Sequence, residues 1–198
     1  GKYWRGEMAP GTSKSSKLLI RRVIPVAKQF TVCLITYNHV ENIAKALDSI
    51  LSQKTTFDWV INIYDDHSTD GTTKILREYQ RKYPEKISLF VQTLNVGPAE
   101  NWKQLLQSVS TPYLAYIEGD DYWICDDKLQ KQYEMLEANP DLGLIYAQAI
   151  QIYQGKATEK PIGTKWTKHA LYLCNPIPST TAAIRCQSIN GFFEELGS

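Results

Sequence analysis

Three short groups of polar residues follow apolar runs in the chain: Thr36-Tyr37-Asn38, Asp65-Asp66-His67-Ser68 and Glu118-Gly119-Asp120-Asp121. A tyrosine ring can stack on a nucleotide base, and a carboxylate can accept a hydrogen bond from a base N–H or a ribose hydroxyl. Paired carboxylates can hold a hard divalent cation against a diphosphate. These residue types therefore predict a nucleotide and metal site, provided that the fold brings the three groups together.

Asp120 and Asp121 are the strongest metal candidates in the sequence. Two adjacent acids directly after a buried strand repel each other, and a bound cation would relieve that repulsion. An exposed turn is the alternative, and we consider it the weaker interpretation. The segment Asp66–Gly71 also resembles the start of a calcium loop, but its twelfth position is Arg77 instead of the required glutamate.

Other candidates have structural alternatives or lack a partner. Asp65 and Asp66 could cap the next helix, although Asp70 is the better placed residue for that role. His67 is expected to be a loop side chain, and His169 has no partner at metal-ligand spacing. Neither glycine-rich phosphate motif follows the first apolar run, so dinucleotide-binding and P-loop proteins lose their main support.

The apolar patterning predicts strands that alternate with helices. Four short apolar runs predict buried strands: Phe30–Thr36, Trp59–Tyr64, Ile87–Val91 and Tyr113–Ile117. Helices are expected from about Ile43, after Asp70-Gly71, after Asn95–Pro98, and over about residues 127–138. This alternation predicts right-handed βαβ units and a parallel sheet, in which ligands bind beyond the carboxyl ends of the strands.

After Leu142 the alternation stops. Leu144–Tyr153 is predicted to form a long strand and Thr180–Arg185 another, as an elaboration of the same sheet without a domain boundary. 

Composition and charge indicate a globular protein. Hydrophobic residues make up 43% of the 198 residues and charged residues 22%. The net charge of +1 argues neither for nor against a polyanionic partner, and we expect no nucleic-acid partner. Residues 1–30 carry +6 and the remainder −5. We interpret residues 1–29 as a flexible or added basic leader, with peripheral contact to an anionic membrane as the alternative. The four cysteines are widely spaced and predict neither a disulfide framework nor a zinc site.

Several segments resemble family 2 glycosyltransferases of the bacterial sugar transferase type over about residues 30–196. TVCLITYNHVENI and ALDSILSQ are similar to that family's opening strand, turn and helix, INIYDDHSTDGT resembles its VDDGSTDGT segment, and YIEGDDYW resembles its D-x-D-type metal motif. The resemblance implies an α/β GT-A fold over residues 30–198. This is a Rossmann-like, mainly parallel sheet flanked by helices, with a smaller antiparallel portion on the acceptor side.

The resemblance also implies roles for individual residues. Tyr37 would stack on the base, Asp66 would bind the base or ribose, and Asp121, with Asp120, would hold Mg²⁺ or Mn²⁺. The implied nucleotide-binding set is Thr36, Tyr37, Asn38, Glu41, Asp66 and Asp120. Candidates on the acceptor side are Trp123, Ser179 and Thr180, although a polar strand start is an equal alternative for the last two.

The family implies transfer of a sugar, with inversion, from a nucleoside-diphosphate sugar to a hydroxyl of a saccharide or glycolipid acceptor. The implied role is in cell-surface polysaccharide or glycolipid synthesis. Because the sequence has no signal-peptide pattern and no apolar run of 18 residues, we expect a cytoplasmic protein, at the inner face of the membrane if the leader binds lipid. Glu100 and Asn101 stand where a basic residue is often found, so a diphosphate contact from that helix is not expected. Gly191–Leu196 resembles a segment that precedes the catalytic base, and we therefore expect the base to lie beyond Ser198.

A non-catalytic module of the same fold that binds a nucleotide sugar is the main alternative function. A nucleotidyltransferase would need a glycine-rich, basic loop after the first strand, and residues 37–42 contain none. 

Overall fold

The structure is a computed structural model that describes residues 28–153, 156–158, 161–163 and 177–189. The predictions for the basic leader before Lys28, for His169 and for Gly191–Leu196 therefore lie outside the described residues. 

A parallel sheet and its helices form the centre of the described chain. The parallel strands are β1 (Lys28–Thr36), β2 (Asp58–Asp65), β3 (Ile87–Val91) and β4 (Tyr113–Glu118). The helices are α1 (Ile43–Leu51), α2 (Thr72–Lys82), α3 (Pro98–Gln107) and α4 (Lys128–Ala138). The predicted alternation of strands and helices is confirmed. None of the described helices is long and apolar enough to cross a membrane.

The two faces of the sheet are covered by different helices. In β1, Phe30, Val32 and Leu34 point into a core with α1, α2 and α4, whereas Cys33 packs with Leu105 of α3 on the opposite face. Burial on both faces explains why β1 is a continuous apolar run, since each fully buried leucine or phenylalanine contributes about 1.5–3 kcal/mol. The three cysteines that the structure describes are unpaired, as the spacing predicted.

The remaining strands are short. β5 (Leu144–Ile145) and β8 (Ala183–Arg185) belong to the main sheet, whose order is β3-β2-β1-β4-β8-β5. β8 runs antiparallel to both β4 and β5. β6 (Ile152–Tyr153) and β7 (Lys156–Ala157) form a separate two-stranded sheet. The smaller antiparallel portion is thus present, but not all of it extends the main sheet.

The prediction of a long strand over Leu144–Tyr153 is wrong. Only its first two residues pair with β8, through Ile184 and Ala183, because β8 is three residues long and offers no further partner. Ile150 and Ile152, each 50% exposed, pack against no second layer among the described residues. The rest of the segment pairs only locally, Ala149 with Ile162 and Ile152–Tyr153 with β7, and an apolar run without a covering face does not form a buried strand.

The predicted strand Thr180–Arg185 is also shorter than expected. Residues Ser179–Thr181 form a 3₁₀ turn, and the strand begins at Ala183. The hydroxyl of Thr181 lies 2.8 Å from the carbonyl oxygens of both Pro178 and Ala147. This local hydrogen bonding competes with the sheet ladder, which explains the loss of strand at the start of the segment.

The strand order places β1 between β2 and β4, and this determines where a ligand can bind. The chain runs outward from β1 to β3 and then returns to β4 on the other side of β1. In the register, Thr36 is beside Asp65, and Ile35 is beside Glu118. The three polar groups found in the sequence therefore meet at one edge of the sheet, at the switch point where open α/β sheets bind ligands.

Candidate donor and metal site

The ends of β1 and β4 are in close contact at this edge. Gly119 donates its backbone N–H to Ile35 O (3.0 Å), and a methyl group at Gly119 would lie 2.4 Å from Oγ1 of Thr36. The Thr36 hydroxyl, which is buried, is 3.1 Å from Nδ1 of His39. The other ring nitrogen of His39 lies 3.9 Å from Oδ2 of Asp120. Thr36 and Asp120, both predicted site residues, are thus connected through His39, which sequence reasoning missed.

Tyr37 and Asn38 follow at the tip of β1. The Tyr37 side chain is 43% exposed, so its ring is available for stacking. Asn38 has a left-handed backbone (φ 56°), and its side-chain oxygen accepts from the Thr69 N–H at 2.8 Å. Its own N–H donates to Oγ of Ser68 at 2.9 Å. Asn38 therefore holds the loop after β1 against the loop after β2, and this contact engages its side-chain oxygen.

Asp65 and Asp66 have different environments although they are adjacent. Asp65 is completely buried and accepts hydrogen bonds from Ser68 and from the Thr73 hydroxyl in the first turn of α2. These hydrogen bonds attach the start of α2 to the end of β2. Asp70, the predicted cap, accepts from the Thr72 N–H at 2.9 Å and also from the Val40 N–H at 2.9 Å. The N-cap of α2 is Gly71 and no side chain caps it, so the prediction that Asp70 caps this helix is wrong. Asp70 instead joins the first residue of the helix to the neighbouring loop at Val40.

Asp66 holds the loop before α3. Its two carboxylate oxygens accept from the backbone N–H groups of Val96 (2.7 Å) and Gly97 (2.9 Å), and the residue is 3% exposed. Each carboxylate oxygen has a second lone pair, so a base or ribose donor that reaches the cleft can still bind it. The contact with Val96 and Gly97 was not predicted from the sequence.

Asn101 is a structural residue of α3. It is 1% exposed and donates to Tyr64 O at 3.0 Å, while it accepts from the side chain of Gln92 at 3.1 Å. Its neighbour Glu100 is exposed in the first turn of the helix. Neither residue supplies a positive charge.

Three acids lie close together at the end of β4. The pKa of Asp121 is raised above its usual range by burial, and next by the negative charges of Asp120 and Glu118. Glu118 also accepts from the Tyr116 hydroxyl at 2.9 Å, and burial followed by the Glu118 charge raises the pKa of Tyr116. Uncompensated negative charge of this kind favours binding of a cation.

The acids could supply part of a coordination sphere. In the described part of the chain, no three His, Cys, Asp or Glu side chains are grouped as a complete metal site. Carboxylate oxygens are the ligands that Mg²⁺ and Mn²⁺ prefer, and Mg²⁺ is commonly held by one or two carboxylates together with phosphate oxygens and water. Asp120 and Asp121 fit that partial role.

Trp123 and Thr180 close one side of the site. The Trp123 side chain is only 8% exposed, and its indole N–H donates to Thr180 O at 2.9 Å. It therefore offers little surface on which a sugar could stack. The Thr180 hydroxyl lowers the pKa of the neighbouring Asp121, yet it is buried without a well-formed hydrogen bond among the described residues.

The predicted residues are not all brought together. Contacts link Thr36, Asp120, Asp121, Trp123 and Thr180 around one edge, and a backbone hydrogen bond from Asp66 to Thr36 O (2.9 Å) adds the end of β2. Glu41 and Ser179 are exposed, and within the described ranges no side-chain hydrogen bond joins either residue to this group.

Comparison with known proteins agrees with this architecture. The profile of the family described as "Glycosyl transferase family 2" matches residues 31–196. An uncharacterized protein of Mycobacterium tuberculosis is 36% identical over 129 residues, which cover 65% of this chain and 37% of that protein. A putative teichuronic acid biosynthesis glycosyltransferase of Bacillus subtilis is 36% identical over 101 residues, covering 51% of this chain and 39% of the relative.

Solved structures show the same fold. Residues 1–349 of Staphylococcus aureus TarS, in complex with UDP, superpose with a TM-score of 0.65 at 19% identity over 83% of this chain and 48% of that one. A Pyrobaculum calidifontis mannosyltransferase in complex with GDP-Man and Mn²⁺ gives 0.62 at 20% identity, over 88% of this chain and 48% of the other. The mainly parallel GT-A fold is thereby confirmed. The chain spans less than half the length of each of these four proteins.

Proposed function

Because the chain belongs to glycosyl transferase family 2, we propose that it binds a nucleoside-diphosphate sugar and takes part in transfer of the sugar to an acceptor hydroxyl. The observation that carries the proposal is the acidic end of β4, where Asp120 and Asp121 lie beside the end of β1. TarS was solved with UDP and with UDP-GlcNAc, and the mannosyltransferase with GDP-Man and Mn²⁺. These ligands support a nucleotide-sugar donor.

The residues at this edge have distinct roles in the proposal. The exposed ring of Tyr37 stacks on the base, and the free lone pairs of Asp66 and Asp120 accept from base or ribose donors. Thr36 is buried and acts through its contact with His39 instead of through an exposed hydroxyl. Asn38 shapes the pocket by joining two loops, while Glu41 contributes only if the bound nucleotide reaches the turn before α1.

Asp121 and Asp120 would hold Mg²⁺ or Mn²⁺ together with oxygens of the diphosphate. When bound, the cation supplies positive charge against the negative charge that develops on the departing diphosphate. Burial, and next the charges of Asp120 and Glu118, disfavour the ionised form of Asp121, and a bound cation would favour it. 

The acceptor reaction requires a base that removes the hydroxyl proton during attack on the sugar. We assign no described residue to that role. Transfer with inversion, and an acceptor belonging to a cell-surface polysaccharide or glycolipid, are further parts of the proposal. The teichuronic acid relative of Bacillus subtilis supports the polysaccharide assignment. A non-catalytic nucleotide-sugar-binding module of the same fold is the second candidate.

Titration with UDP, GDP, CDP and dTDP, with and without Mn²⁺, tests the donor site. We expect one nucleoside diphosphate to bind in a Mn²⁺-dependent way and to stabilise the fold by about 2.7 kcal/mol at 100 times its Kd. Absence of binding by all four at millimolar concentration would contradict the proposal. Sugar transfer from the matching donor, with the anomeric configuration of the product read by NMR, then separates an enzyme from a binding module.

A further inference from the structure

Lys128, the first residue of α4, lies at the centre of contacts that the proposed function does not use. Its Nζ is 4.2 Å from the centroid of the Trp123 ring and donates to Oε1 of Gln132 at 2.7 Å. None of the ion pairs found among the described residues includes it. The ammonium group is thus held by an aromatic face and an amide instead of a carboxylate.

Both partners of Lys128 hold the same 3₁₀ turn. The indole N–H of Trp123 donates to Thr180 O at 2.9 Å, and the Gln132 side-chain amide donates to Thr181 O at 2.8 Å. The Gln132 amide could otherwise be turned by half a rotation, which would exchange its donor and its acceptor. The ammonium of Lys128 can only donate, so the side-chain oxygen of Gln132 must face it. The NH₂ group of Gln132 is therefore directed toward Thr181.

The 3₁₀ turn Ser179–Thr181 places the Thr180 hydroxyl beside the proposed metal site. Oγ1 of Thr180 is buried and has no well-formed hydrogen bond within the part of the chain that the structure describes. It lies close enough to Asp121 to lower the pKa of that carboxyl. A buried hydroxyl without a partner is destabilising, and a ligand oxygen in the site would satisfy it.

We propose that Lys128 is a positioning residue for the donor site. Through Gln132 and Trp123 it holds the turn so that the Thr180 hydroxyl, next to Asp121, donates to an oxygen of the bound sugar diphosphate. The proposal deepens the proposed function and rests on it. It concerns contacts on the side of the site away from Tyr37 and Asp66.

Hydrogen exchange of the 198-residue chain without ligand tests the positioning step. The backbone N–H groups of Thr181 and Ala182 donate to Pro178 O and Ser179 O, at 2.9 and 3.0 Å, and report on the turn. In Lys128→Met, which keeps most of the chain length but removes the charge and the donor, we expect these two amides to exchange about tenfold faster. Unchanged exchange at both amides would overturn the proposal.

Lys86→Met is the matched control. Lys86 Nζ also lies over a tryptophan, 4.5 Å from the Trp59 ring centroid, and donates to Trp59 O at 2.9 Å. This contact is at the amino end of β2, away from the turn. The same substitution there should leave exchange at Thr181 and Ala182 unchanged, and a similar acceleration in both variants would indicate a general loosening of the fold and so contradict the proposal.

A second measurement links the turn to the donor site. With Mn²⁺ and the nucleoside diphosphate that binds best in the titration, Lys128→Met and Thr180→Val should each weaken binding about tenfold, and the double variant should lose no more than the larger single loss. Thr180→Val removes a hydroxyl that has no well-formed hydrogen bond among the described residues beyond its contact with Asp121, so its unfolding midpoint should fall little. The link to the donor site would be overturned if Lys128→Met exchanged its turn amides faster but bound the nucleotide as tightly as the wild type. It would also be overturned if the losses of binding free energy in the two single variants added up fully in the double variant.

The outcomes separate this proposal from the proposed function. If the wild-type chain binds none of the four nucleoside diphosphates, the donor assignment is contradicted. The exchange comparison still decides whether Lys128 positions the turn, because it requires no ligand.

Discussion

Gly119 packs so closely on Thr36 that a methyl group on its Cα would lie 2.4 Å from the Thr36 Oγ1 and 2.8 Å from the Thr36 Cβ. The contact is between two buried strand ends, and neither atom belongs to a flexible side-chain terminus. The spacing between β1 and β4 at the candidate site therefore depends on the absence of a side chain at residue 119.

Gly119→Ala should separate the two strand ends. We expect a loss of about 1–3 kcal/mol in the free energy of unfolding, as for other overpacked sites. Binding of nucleoside diphosphate should weaken as well, because Asp120 follows directly. Urea denaturation measures the first effect and the titration the second. An unchanged urea midpoint would show that the strands can accommodate the methyl group.

Asp121→Asn should remove Mn²⁺-dependent binding with little effect on the fold. The amide retains the shape of the side chain but not its charge, and a rate of sugar transfer, where it can be measured, should fall by about 10²-fold or more. Asp126→Asn is the control, because Asp126 is half-exposed and its ion pair within the described ranges is with Lys54 at the surface. Equal affinity for Mn²⁺ and nucleotide in wild type and Asp121→Asn would refute the metal assignment.

Asp66→Asn tests a structural role that is independent of any ligand. The carboxylate accepts hydrogen bonds from the backbone N–H groups of Val96 and Gly97. An asparagine would place its NH₂ group against one of these N–H groups, and two donors cannot bond to each other. The variant should lose about 1–3 kcal/mol of stability, and both amides should exchange faster in the absence of nucleotide. Glu100→Gln, an exposed change in the adjacent helix, should do neither. If exchange at Val96 and Gly97 does not change, the carboxylate does not hold this loop.

The charge of Lys128 should make stability depend on pH. Burial lowers the pKa of Lys128 to about 7, from 10.5 for a free side chain. Between these values the unfolded state binds more protons than the folded state, so wild-type stability should rise as the pH increases from about 7. Lys128→Met removes the cost of burying the charged side chain. The unfolding free energy of the variant should therefore exceed that of the wild type by more at pH 6 than at pH 9. Urea denaturation at both pH values measures the difference, and a constant difference would mean that the ammonium is not desolvated.

The parallel half of the fold was predictable because its signals are local. The run Phe30–Thr36 is continuously apolar from Val32 to Ile35, and α1 carries Ile43, Leu47 and Ile50 on one stripe, so the apolar pattern alone identifies both elements. The acids at the end of β4 were predictable for a related reason, since parallel strands bring their carboxyl ends to one edge of the sheet.

Contacts between distant segments were not predictable. The role of His39 depends on the approach of Gly119, and that of Asp66 on the turn before α3, and no local pattern marks either contact. The strand expected over Leu144–Tyr153 failed for the same reason, because the length of its partner β8 is set by the 3₁₀ turn that precedes it.

The bond from Trp123 to Thr180 joins residues 57 positions apart. During synthesis, the helices and parallel strands through β4 can form before the turn leaves the ribosome, because β1, β2, β3 and β4 pair with one another and all precede the turn in the chain. The surroundings of Asp121 cannot be completed until residues 178–182 have emerged and β8 has paired with β4. A nascent chain that ends before this point should have a folded sheet with an acidic edge that is still open to water, and competence to bind a donor should appear as a late event in its maturation.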